Sequence, residues 1–129
     1  MGQASEIPAG KQFYGNHDAS IQWGSYKFNG GYEFSPHLHK IRERRMLTKT
    51  PEFFYVISGS IKFDFYDNLK KKIFCKIMNH EEFVCCYDGG HGLTILKDCT
   101  KFLEIKLGPF TSSSEDKEIF NDKSVSTVA

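Results

Sequence analysis

Period-two alternation in short runs, broken at close intervals by turn residues, restricts this chain more than any other feature. Ile61, Phe63 and Phe65 alternate with Lys62, Asp64 and Tyr66. Ile73, Cys75 and Ile77 alternate with Phe74, Lys76 and Met78. Leu103, Ile105 and Leu107 alternate with Glu104 and Lys106. Successive side chains of a strand point to opposite faces, so this period predicts strands with one face buried. Further extended segments are read at 21–28, 32–39, 53–57, 82–87 and 91–96. Ser58-Gly59-Ser60 reads as a tight turn that makes a hairpin of the strands on either side. Asp67-Asn68-Leu69-Lys70-Lys71, Asp88-Gly89-Gly90 and Asp98-Cys99-Thr100 supply the other breaks. Strands this short, with turn signals every ~8–12 residues, indicate an all-β sandwich or barrel. No helical period of comparable length competes.

A chain of 129 residues suits one domain. The reading divides it into an N-terminal arm (1–20), a barrel (21–110) and a polar C-terminal tail (111–129). Aromatics make up 15% of the chain, with 12 Phe, which favours pleated, half-buried surfaces over helix. Lys plus Arg total 17 against 16 for Asp plus Glu, so nothing pulls nucleic acid or an anionic membrane from a distance. No apolar run is long enough to span a bilayer. The start lacks the basic and apolar regions of a signal peptide, and Glu6 stands where a myristoylation signal wants Ser or Thr. A cytoplasmic protein is therefore expected. The four cysteines form no C-x-x-C pair and read as small buried hydrophobes. Lys70-Lys71-Lys72 reads as a device against edge aggregation.

His37 and His39 stand at i and i+2, so on an extended segment both rings leave the same face. That arrangement suits chelation, which needs imidazole nitrogens converging at about 2.0–2.1 Å from a metal. Glu52 opens a strongly apolar strand, where an unpaired carboxylate is costly unless a cation accompanies it. His91 follows two glycines and opens another apolar strand. These four residues are the candidate metal ligands. His17 and His80 are read as exposed and without a role.

The stretch Gly31-x5-His37-x-His39 with Glu52-x6-Gly59 resembles the first motif of the cupins, and Gly90-His91 resembles the second. The phrasing around both is similar to small single-domain cupins found among cell-surface polysaccharide biosynthesis genes. The resemblance covers residues 31–110 and implies a double-stranded β-helix, or jelly-roll barrel, with a three-His, one-Glu site inside. The family usually places its Glu three or four residues after the second His, where this chain has Glu43. Glu43 lies in a charged run and Glu52 leads into a strand with the glycine in register, so Glu52 is chosen. The usual Pro-Gly-Asp turn of the second motif is replaced by His80-Glu81-Glu82.

The resemblance implies one divalent ion (Fe, Mn, Ni or Zn) with open coordination positions, which acts as a Lewis acid or binds dioxygen. The function expected is action on a small molecule, a sugar or sugar nucleotide, by isomerase, epimerase or oxygenase chemistry. The alternative is a non-catalytic sugar- or metabolite-binding module whose metal anchors ligand or stabilises the barrel. No general base is identified. Arg42 and Arg44 are candidate ligand contacts from a loop at the mouth, joined by Phe54 and Tyr66 as pocket walls. A homodimer formed through the N-terminal arm is expected.

Overall fold

The alternating segments become strands at nearly the predicted bounds, and both ends of the chain add one more. The computed structural model describes residues 2–15, 18, 20–40, 50–108 and 117–122. Among these residues the strands are β1 (Gly10–Tyr14), β2 (Ile21–Phe28), β3 (Glu33–His39), β4 (Glu52–Ser58) and β5 (Ser60–Tyr66). They continue with β6 (Lys72–Asn79), β7 (Phe83–Cys86), β8 (Gly90–Ile95), β9 (Thr100–Leu107) and β10 (Lys117–Ile119). A 3₁₀ turn at Ala4–Glu6 precedes them.

Two five-stranded sheets result, ordered β1-β2-β9-β4-β7 and β10-β3-β8-β5-β6. β9 lies between β2 and β4, and β8 lies between β3 and β5, always antiparallel. Apart from the pairs β1–β2 and β5–β6, chain neighbours thus alternate between sheets, as in a jelly roll. The expected hairpin at Ser58-Gly59-Ser60 is a corner instead: β4 and β5 belong to different sheets. Gly59 makes the corner at φ 91°, pressed so close to Thr100 that a Cβ would lie 2.2 Å from its Oγ1. The true hairpin joins β5 to β6, where Asp67 Oδ1 accepts from the backbone N–H of Leu69 and Lys71, each at 2.9 Å.

Residues read as an irregular arm pair along β2 from Gly10↔Lys27 to Tyr14↔Trp23. In the tail, Lys117–Ile119 pairs with β3, and the N–H of Phe120 donates to Pro36 O at 3.0 Å.

Between the sheets lies an apolar cluster that includes Val56, Ile61, Phe63, Ile95 and Phe102, each at most 1% exposed. Two alternations are corrected here. On β9 the inward face carries Phe102, Glu104 and Lys106, while Ile105 faces out. β6 is an edge strand, so Ile73, Phe74 and Ile77 are exposed together and only Met78 is buried. The cysteines also differ from expectation: Cys75 and Cys99 are exposed, Cys85 and Cys86 half-buried, and all four are free thiols.

A candidate metal centre inside the barrel

Strand β3 would carry its histidines past β8 out of step but for a bulge. The register passes from Phe34↔Leu93 to His37↔His91, so three steps on β3 match two on β8. Pro36 sits in that bulge, one of the few strand positions where a missing N–H does no harm. Beyond it His37 faces His91 across the sheet, with ring centroids 4.6 Å apart. His39 follows on the same inward face. Glu52 comes from the opposite sheet, at the start of β4. Gly89 shapes the approach to β8, at φ 77°, where a Cβ would lie 2.3 Å from Tyr66 O.

The ligand atoms of His37, His39, Glu52 and His91 all lie within 4.8 Å of one another. Glu52 Oε1 is 3.0 Å from His39 Nε2, and Oε2 is 2.6 Å from His91 Nε2. Glu52 is 1% exposed and His91 2%. His91 Nε2 and Glu52 Oε2 are buried, and despite their close approach neither has a partner in hydrogen-bond geometry. Polar atoms buried this way cost free energy unless something else satisfies them. A cation between them does so, and three imidazoles with one carboxylate are a donor set for a divalent ion.

The protonation pattern agrees. The Ser35 carbonyl lies 3.0 Å from His37 Nδ1. A carbonyl only accepts, so Nδ1 carries the proton and Nε2 keeps its lone pair for a metal. Burial first, then the neighbouring His91, pushes the His37 imidazole down to about 3, so it stays neutral. Burial alone would raise Glu52. The charge of His91 and the close approach of the His39 and His91 rings outweigh it and hold the carboxyl well below the usual range.

Behind Glu52 stands a second carboxyl that the alternation of β9 concealed. Glu104 is buried, hydrogen-bonds with Glu52 and accepts from the Tyr26 hydroxyl. Burial, then the charge of Glu52, pushes it up to about 8. Tyr26 is likewise pushed above its ordinary value, by burial and then by Glu104. Lysines complete the surroundings. Lys106 is cross-strand from Glu52, Lys117 from His39 and Lys11 from Tyr26. These three with His37, Tyr26 and Glu104 border a cavity of about 40 Å³. Cys86 is the other cross-strand neighbour of Glu52. Burial, then Glu52, pushes its thiol up to about 12, which keeps it protonated.

The remaining site candidates separate. Phe54 is buried on the inward face with its ring 5.4 Å from that of His91. Tyr66 lies apart from the ligand cluster. It pairs with Gly90, one residue off the inward register, and its hydroxyl donates to Asp122 at 2.7 Å on the outer face under the tail. Arg42 and Arg44, like Glu43 and His17, lie outside the described residues. His80 is exposed, with Nδ1 donating to Ile57 O at 2.7 Å.

No protein-family model and no curated protein matches the sequence. Solved structures do match in shape. Lactobacillus farciminis oxalate decarboxylase, in a formate complex, aligns with TM-score 0.64 at 16% identity over 89% of this chain and 33% of its own. Bacillus subtilis oxalate decarboxylase at pH 4.6 aligns with TM-score 0.61 at 17% identity over 78% of this chain and 24% of its own. The fold is the cupin jelly roll. A third match is a Bacillus subtilis oxalate decarboxylase described for its Mn(II) centres, with TM-score 0.57 and 16% identity over 75% of this chain. The chain spans about a quarter to a third of the length of these enzymes, and at such identity the likeness is one of fold. Within this cupin barrel the four converging ligands are suited to a divalent metal. No described helix is long and apolar enough to cross a membrane.

Proposed function

We propose that this cupin is a mononuclear metal enzyme acting on a small molecule, with His37, His39, Glu52 and His91 holding the ion. The observation that carries this reading is the buried approach of His91 Nε2 to Glu52 Oε2 at 2.6 Å without hydrogen-bond geometry. When bound, the ion supplies Lewis acidity and, if iron, a seat for dioxygen. The chain supplies the rest. Ser35 fixes the His37 tautomer, and Glu104 with Tyr26 places a proton-bearing group against the centre. That group favours an enzyme over a passive binding module. Isomerase, epimerase and oxygenase chemistry all fit such a centre, and the metal's identity selects among them.

The resemblance to polysaccharide-biosynthesis cupins implies a sugar or sugar nucleotide. The cavity beside His37 measures about 40 Å³, room for only about three water-sized positions, so a ligand of few atoms is the reading favoured there. A homodimer in the cytoplasm remains part of the proposal. The apolar side chains exposed on edge strand β6 are compatible with an interface, and a monomer mass in solution scattering would remove it.

Elemental analysis tests the central claim. The purified wild type should carry near-stoichiometric metal, which disappears in a His37→Ala, His91→Ala double variant. A wild type that stays metal-free after reloading with Fe, Mn, Ni and Zn would overturn it.

A further inference from the structure

β6 is the edge of one sheet and β7 the edge of the other, and side chains of both border a groove of about 610 Å³. Strand register decides which of them face it. Phe74 is cross-strand from Phe65 and Met78 from Ile61, so both turn inward, while Ile73 and Ile77 turn away. On the other sheet Val84 and Cys86 are cross-strand from Phe54 and Glu52 and turn inward with them. The same register ties the groove to the candidate metal centre. Phe65 is cross-strand from His91 and Cys86 from Glu52, so each sheet sets one wall residue beside a candidate ligand. Cys86, Tyr87 and Asp88 also border the small cleft that His39 and His91 line. The cavity of about 40 Å³ borders His37 instead, so space for a larger body lies on the side of His91 and Glu52.

We propose that this groove seats the uncharged aromatic body of the molecule on which the metal centre acts, with the polar end of that molecule turned past Cys86 toward the ligands. The inference rests on the proposed function for the metal, and on the groove for the aromatic body. Three features select that body. The volume falls within the range of about 300–1,000 Å³ usual for small-molecule sites. Phe65, Phe74, Met78 and Cys86 give the wall rings and sulfur, which suit the face and edge of another ring. Phe65 and Phe74 already stack, with centroids 4.6 Å apart, yet Phe74 stays 55% exposed, and a seated ring takes that apolar area out of water. The charged residues of the wall are Lys76 against Glu81, Glu82 and Asp88, so an anionic body is disfavoured.

Two hydroxamates with the same metal-seeking head are the probes, benzohydroxamate with a ring and acetohydroxamate without one. The full chain is loaded with zinc and binding is followed by calorimetry. Phe74→Leu keeps an apolar side chain without a ring and Phe74→Ala removes both, and each variant is checked for unchanged metal content and melting. Benzohydroxamate should bind the wild type about tenfold or more tighter than acetohydroxamate. That preference should shrink severalfold in Phe74→Leu and further in Phe74→Ala, with acetohydroxamate unmoved. Equal binding of the two probes by the wild type would overturn the proposal, and so would a preference that survives both variants. Either result beside full zinc uptake leaves the metal reading standing. A wild-type dimer in solution scattering that Phe74→Ala turns into a monomer would give the groove to a second copy and overturn the proposal as well. Benzyl alcohol on metal-free protein, followed by saturation-transfer NMR, tests the groove alone. Contact that depends on Phe74 in a protein that takes up no metal would remove the metal reading and keep the aromatic seat.

Discussion

At one end of the barrel interior, β4, β8 and β9 contribute Val56, Ile95 and Phe102, each at most 1% exposed. At the other end the same strands contribute Glu52, His91 and Lys106, which are 1%, 2% and 7% exposed. Burial is nearly equal and chemistry is opposite. The apolar end gains from every methylene removed from water, at about 25 cal/mol per Å². The polar end pays desolvation for a carboxylate, imidazoles and an ammonium group, which its internal pairings only partly repay. A barrel can support such an end because the other end closes it, and a bound cation would supply what the polar groups lack. The stabilising core and the candidate site therefore sit on the same strands, a few residues apart.

The sharpest separation should come from the apolar end. Phe63 is fully buried and packs against Phe54 with ring centroids 5.3 Å apart. Phe63→Ala should cost about 3–5 kcal/mol in denaturant unfolding, while the folded fraction still takes up metal in full. If uptake falls in step with stability, the two ends are not separable.

Glu52→Gln inverts the pattern. It keeps the volume and removes the charge, so metal affinity should fall by about 100-fold or more. Without metal, unfolding free energy should move by no more than about 1 kcal/mol, because the glutamine keeps the volume and its amide can still pair with the neighbouring imidazoles. A loss as large as that of Phe63→Ala would make Glu52 a structural residue first.

The same contrast explains what was legible in the sequence. The apolar end announces itself, since Ile61, Phe63 and Phe65 alternate in β5 and strand bounds follow from such runs. The cluster that could hold a metal was also legible, because His37 and His39 share a face by spacing and Glu52 interrupts an apolar run at its first residue. On β9 the rule that apolar faces turn inward fails. Leu103, Ile105 and Leu107 form the apolar set, yet Glu104 and Lys106 are the buried ones. Period two fixes alternation and leaves the choice of face to the partner strands. The signal available was the pair itself, a carboxylate and an ammonium two residues apart in a central strand. The Ser58-Gly59-Ser60 corner was hidden for a related reason. A tight turn and a passage between sheets use the same residues, and only the distant Thr100 shows which one is made.

Acidity offers a finer probe of the polar end, on metal-free protein. Glu104 is pushed up to about 8, against about 4.3 for an unfolded Glu. In that window the folded chain binds a proton the unfolded chain has lost, so stability falls as pH rises toward 8. His37, held down to about 3, works the other way. The unfolded imidazole binds a proton below about 6.5 that the folded one refuses, so stability falls as pH drops toward 3. Wild type should therefore be most stable in mildly acidic solution. Glu104→Gln should remove the decline between pH 6.5 and 8 and leave the acid side in place. Melting curves across pH 3–9 check this, and an unchanged decline in the variant would assign it to another group.

The smallest effect separates the inside of the barrel from its outer face. Tyr66 donates to Asp122 at 2.7 Å, Lys72 lies 2.6 Å from the same carboxylate, and the Tyr66 and Phe120 rings meet edge to face at 5.0 Å. This cluster holds the tail against β3 and β5 and so helps place Lys117 beside His39. Tyr66→Phe keeps the ring and removes one partly buried hydrogen bond, so it should cost about 1 kcal/mol. Metal content should not change, because the hydroxyl is on the face turned away from the ligands. Faster amide exchange confined to residues 117–122 would mark it as a latch. Loss of metal with the hydroxyl would instead mean that the outer face governs the inner one through the β3 bulge at Pro36, and the division between the two faces would have to be redrawn there.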